Sequence, residues 1–172
     1  MGAYKEIEGD LIKYAFDGIF DVIGHGCNCQ NNMGAGIAPQ MARAFGCDKF
    51  HKESPKYKGD INKLGTIDYQ VLQFAGGTSE FNIFDFDLCV CNLYTQYYYG
   101  RNHRDGVDIP IDYEALTLCM RKINHTFKGK RIGLPGLIGC GLAGGNPDIV
   151  NEILKKELKD CDVTIVYLPK NK

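Results

Sequence analysis

Two glycine-rich segments, each lying after a strand-like stretch and before a helix-like one, constrain this chain more than any other feature. Gly24, Gly26, Gly34 and Gly36 cluster in the first, and Gly133, Gly136, Gly139, Gly141, Gly144 and Gly145 in the second. The start of a helix presents unpaired N–H groups and the positive end of a dipole, and glycine lets the backbone approach a bound phosphate closely. Two such loops can clamp a diphosphate from both sides. Tight turns alone do not require a run as long as 139–145. No Gly-Lys-Ser/Thr follows either segment, and neither has the dinucleotide-binding spacing, so ATP and NAD are not the indicated ligands.

The rest of the chain predicts what such loops would be mounted on. Strand patterns cover residues 3–7, 22–26, 64–74, 81–94, 131–135 and 163–168, and 75–79 reads as a turn. Helical patterns cover 34–45, 112–127 and 147–158, the second with Asp112 as N-cap and Ala115, Leu116, Cys119, Met120 and Ile123 facing a core. In the third, Pro147 sits in the first turn and Ile149, Ile153 and Leu154 are expected inward. The charged segment 51–63, with Ser54-Pro55, reads as a loop with a short helix at most. Alternation of strands and helices in the second half implies parallel crossovers, hence a layered α/β domain, and 172 residues suit one such domain.

Charge narrows the partner classes. The chain has 20 Lys and Arg against 21 Asp and Glu, a net of -1, and no basic run, which argues against nucleic acid as the main partner. Small anions need only local donors. No stretch is apolar and long enough to span a membrane, the start of the chain lacks a signal-peptide pattern, and Glu6 stands where myristoylation wants Ser or Thr. A cytoplasmic, monomeric protein is expected. The cysteines at 27, 29, 47, 89, 91, 119, 140 and 161 include two C-x-C pairs and no C-x-x-C knuckle, so they read as reduced packing residues with no metal or disulfide framework.

Several short motifs add a family resemblance. Gly9-Asp10-Leu11, then His25-Gly26-Cys27-Asn28-Cys29 with Met33-Gly34-Ala35-Gly36-Ile37-Ala38, then Leu134-Pro135-Gly136-Leu137-Ile138-Gly139-Cys140-Gly141 and Val166-Tyr167-Leu168 together resemble the macro domain family. The resemblance covers nearly the whole chain, and the His-x-Cys-Asn loop is similar to the branch that includes the yeast ADP-ribose 1''-phosphate phosphatase. It implies a three-layer α/β/α domain with a central mixed, mostly parallel sheet. ADP-ribose or ADP-ribose 1''-phosphate is the ligand it implies, with ADP-ribosylated macromolecules as further partners and no cofactor.

By the same resemblance, Asp10 accepts a hydrogen bond from the adenine amino group with the Leu11 N–H beside it, and Tyr167 lies along the adenine. Asn28 contacts the distal ribose. Gly34, Ala35, Gly36, Ile37 and Ala38 meet the phosphates, and Gly139, Cys140, Gly141, Leu142 and Ala143 close over them. For hydrolysis of the 1''-phosphate, His25 is the expected catalytic group, since imidazole titrates near neutral pH. A second acid or base could come from His103, Asp105 or Asp108. Ala143 stands where lysine-and-aspartate hydrolases of this family carry their aspartate, and the strand ending Leu72-Gln73-Phe74 has no lysine, which disfavours that mechanism. Removal of ADP-ribose from modified macromolecules by another route, and binding without turnover, are the competing readings.

Overall fold

The computed structural model describes residues 2–50, 59–74, 86–98, 111–138 and 145–169. In chain order it contains β1 (Tyr4–Glu8), α1 (Leu11–Phe16), β2 (Val22–Asn28), α2 (Ala38–Phe45), β3 (Ile67–Phe74), β4 (Phe86–Gln96), α3 (Tyr113–Thr126), β5 (Arg131–Pro135), α4 (Pro147–Glu157) and β6 (Asp162–Tyr167). The six strands form one sheet in the order β1-β6-β5-β2-β4-β3. Only β3 runs antiparallel to its neighbour, so the sheet is mixed and mostly parallel, as expected.

The strands read as near-continuous apolar runs because helices cover both faces. On one face Leu11 and Ala15 of α1 and Met41 and Phe45 of α2 pack on Ile23, Leu88 and Val90. On the other, Leu116, Cys119, Met120 and Ile123 of α3 and Val150 and Leu154 of α4 pack on Val22, Leu93, Ile132 and Ile165. Close approach between layers needs a missing side chain at Gly133, where a Cβ would come within 2.6 Å of the Phe20 ring. The core is a three-layer α/β/α arrangement.

Several local expectations change. Helix α2 starts at Ala38, four residues later than the pattern at 34–45 implies, because Gly34 and Gly36 belong to an exposed loop and Gly36 has φ 65. The six-residue α1 was not anticipated; it forms because Asp10 Oδ1 caps it, accepting from the N–H groups of Ile12 and Lys13 at 3.0 and 3.2 Å. In α4, Val150 and Leu154 are the buried residues and Ile149 is exposed. Asp112 caps α3, as the pattern requires, through the Ala115 N–H. The turn at 75–79 lies outside the described residues. Seven cysteines, at 27, 29, 47, 89, 91, 119 and 161, are buried thiols outside any disulfide, and Cys140 lies outside the described residues. Among the described residues, no helix is long and apolar enough to cross a membrane.

Candidate binding site at the strand ends

The parallel strands β1, β2, β4, β5 and β6 end on the same edge of the sheet, and the segments following them gather there. In open α/β sheets this edge is where ligands bind, in the crevice outside the strand ends. Along it stand Asp10 after β1, residues 28–37 after β2, residues 136–138 after β5 and Tyr167 at the end of β6.

The loop between β2 and α2 is built around Asn28. Its Oδ1 accepts from the N–H groups of Gln30 and Asn32 at 3.1 and 3.0 Å, and its Nδ2 donates to the Asn32 carbonyl at 2.7 Å. Asn32 Oδ1 in turn accepts from the Gly34 N–H at 3.0 Å. The Asn28 side chain, expected at the distal ribose, thus also organises its own turn, a use open to short polar amides. Gly34, Ala35 and Gly36 are exposed, and no other atom lies within 4 Å of where a Gly36 Cβ would stand. Ile37 occupies the N-cap of α2 and offers no side-chain oxygen, and Pro39 has no N–H, so the first-turn donors without a side-chain cap are the N–H groups of Ala38 and Gln40.

Asp10 is exposed and serves α1 through Oδ1, while its Oδ2 takes no bond from the described residues. The cap uses Ile12 and Lys13 and leaves the Leu11 N–H outside it. The Leu11 side chain is core. An acceptor and a donor thus stand next to each other at the edge. Tyr167 is half-buried: its ring lies against Gly136, where a Cβ would collide with it, and its hydroxyl is 3.5 Å from Glu6 Oε1. The Tyr167 carbonyl accepts from the Gly9 N–H at 2.9 Å, which joins the β1 and β6 ends beside Asp10.

His25 does not face this edge. In β2 it shares its phase with Ile23 and Cys27, is fully buried, and lies 2.7 Å from Asn92 Oδ1 through Nε2. Asn92 Nδ2 donates to the Cys47 carbonyl at 2.9 Å and to Asp68 Oδ1 at 2.7 Å, which turns the amide oxygen toward the ring and makes Nε2 the protonated donor. Burial pulls the His25 pKa down to about 4, against the smaller upward pulls of the Asn92 bond and the Asp68 charge. The Cys27 and Cys47 sulfurs close over Nε2 at 3.5 and 3.6 Å. The structure thus places His25, the expected catalytic group, in the core among Asn92, Cys27 and Cys47.

Two polar residues near the edge carried no recognisable sequence signal. Lys63 is buried, its Nζ 2.6 Å from Asn31 Oδ1 and 4.2 Å from the centre of the Tyr94 ring. Thr95 is fully buried, and its Oγ1 has no partner among the described residues. It is the extra residue of a β-bulge, because Cys27 pairs with Tyr94 and Asn28 with Gln96. Gly139, Cys140, Gly141, Leu142 and Ala143 lie outside the described residues, as do His103, Asp105 and Asp108.

A search of family models finds no match. The chain is 34% identical over 170 residues to the uncharacterized 17.5 kDa protein in the tk-vs intergenic region of Enterobacteria phage T4, covering 94% of each chain. Among solved structures it is similar to a protein of unknown function from Bacteroides thetaiotaomicron (TM-score 0.66, 22% identity, 96% of this chain and 98% of that one). It is similar to the macrodomain of Mycobacterium tuberculosis DarG (TM-score 0.60, 18% identity, 99% and 100%). The third is Thermosipho africanus DarTG in complex with ADP-ribose (TM-score 0.67, 19% identity, 100% of this chain and 43% of that one).

Proposed function

From the premise that the chain belongs to the family of the 17.5 kDa phage T4 protein and has the macrodomain fold, we propose that it binds ADP-ribose along the C-terminal edge of its sheet. The observation that carries this reading is the start of α2: an exposed loop with Gly34 and Gly36 leads into helical N–H groups that no side chain caps. Such a terminus favours a phosphate through both its free donors and its dipole. The diphosphate lies over residues Gly34, Ala35, Gly36, Ile37 and Ala38, and the family resemblance adds Gly139 to Ala143 as further phosphate contacts. The adenine amino group meets Asp10 Oδ2, the Leu11 N–H meets a ring nitrogen, and Tyr167 flanks the base. Asn28 acts by shaping the loop.

Binding is placed ahead of turnover because of His25. Hydrolysis of ADP-ribose 1''-phosphate needs a group that moves a proton at the terminal phosphate, and the buried, neutral imidazole does not supply one.

Calorimetry with ADP-ribose, ADP and AMP tests the proposal. Tighter binding of ADP-ribose than of AMP, weakened by Asp10→Ala, is expected. No heat with any of the three overturns it. Phosphate release from ADP-ribose 1''-phosphate that is lost in His25→Ala would restore the phosphatase reading.

A further inference from the structure

Residues 29, 30 and 31, at the base of the glycine loop, are each tied to a different neighbour. The Gly59 N–H donates to the Cys29 carbonyl at 2.7 Å, Gln30 Nε2 to the Tyr97 carbonyl at 3.3 Å, and Lys63 Nζ to Asn31 Oδ1 at 2.6 Å. The third tie differs in kind. Lys63 is only 7% exposed, and an ammonium withdrawn from water must find replacement partners. Burial pushes its pKa down, and the nearby Asp68 carboxylate pushes it back up. The Tyr94 ring, on which the ammonium rests, is itself held by a hydrogen bond from its hydroxyl to Asp68 Oδ2.

The other end of the tie is also unusual. Asn31 has φ 59, the left-handed region that residues other than glycine enter at a cost. Three residues further on is Gly34, and Gly36 follows with φ 65. A left-handed residue at the base of the loop sets the direction in which the glycines leave, and Lys63 grips that residue by its side chain.

We propose that Lys63 is the positioning residue of the phosphate-facing loop: its ammonium, anchored over Tyr94, pins Asn31 and so holds Gly34 and Gly36 where a diphosphate meets them. This rests on the reading of the edge as an ADP-ribose site. Lys63 acts through Asn31 and not by touching the ligand. The segment containing residues 59–66 is accordingly a brace for the loop.

The experiment is a double-mutant cycle read by calorimetry. Lys63→Met removes the charge and keeps the stem, and Asn31→Gly removes the side chain while tolerating the positive φ. Each alone weakens ADP-ribose binding about tenfold, the scale of one charge-assisted hydrogen bond, and the double variant is no weaker than either single one. Adenosine, which lacks both phosphates and the distal ribose, binds all four proteins equally. Full affinity in a folded Lys63→Met protein overturns the proposal, and so do losses that add in the double variant. If the unaltered protein binds no ADP-ribose, the proposed function fails by itself. Amide exchange of residues 29–36 then decides the brace: faster exchange in Lys63→Met supports it, and unchanged exchange overturns it.

Discussion

Asn28 and Asn32 close a ring through two opposed hydrogen bonds: the Asn28 Nδ2 donates to the Asn32 carbonyl at 2.7 Å while its Oδ1 accepts the Asn32 N–H at 3.0 Å. The last residue of β2 thereby dictates the path of the loop before the chain reaches Gly34. Replacing Asn28 by Ala opens the ring and releases the Gln30 N–H as well. The expected cost is roughly 2 kcal/mol, or a fall in Tm of a few degrees, together with about a tenfold loss of ADP-ribose affinity. Thermal melts and calorimetry on one preparation check both.

His25 makes stability depend on pH. Its folded pKa, about 4, lies below the ordinary value of 6.5, so between the two the unfolded chain binds more protons than the folded one. Stability is full above pH 6.5 and falls as the pH drops toward 4, by roughly 3 kcal/mol in all. Denaturant titrations from pH 7.5 to 4.5 should show this slope, and His25→Gln should flatten it. An equal slope in the variant would refute the assignment.

Gly36 separates folding from binding. A Cβ there has open space but must adopt φ 65, so Gly36→Ala should cost only about 1 kcal/mol of stability. Under the proposed binding mode, the methyl group would nevertheless stand on the surface that the phosphate approaches. ADP-ribose affinity is expected to fall by more than the stability cost accounts for, and a variant that binds normally would move the phosphate away from this loop.

Thr95 carries a buried hydroxyl with no partner among the described residues. Thr95→Val keeps the shape and removes the unsatisfied group, so a stabilisation of about 1 kcal/mol is expected. A lower midpoint in chemical denaturation would mean the hydroxyl is satisfied in solution.

The strand and helix order was legible because each element carries its own period, and capping residues such as Asp112 and Asn146 mark helix starts with oxygens that can be counted. The glycine loop after β2 was legible as well, because Gly36 needs a backbone conformation that other residues avoid. Helix α1 escaped notice because six residues are fewer than two turns and show no periodicity. His25 misled for a different reason. A ligand-loop motif suggests that its members face the ligand, but His25 lies inside β2, where helices cover both faces of the sheet and residues of either phase are buried. Lys63 was not recoverable from the sequence, since its role arises from a side chain at 31 and a ring at 94 that only the folded chain brings together.

The pairing of β1 with β6 sets Tyr4 opposite Val163 and Glu8 opposite Tyr167. During synthesis, β1 is made well before β6 and must wait for it before it has a neighbour in the sheet. Asp10 and Tyr167 come together only at that moment. A growing chain can therefore assemble the β2 loop before the ends of β1 and β6 meet, and under the proposed binding mode any fragment ending short of residue 162 would carry the phosphate side of the site without its adenine side.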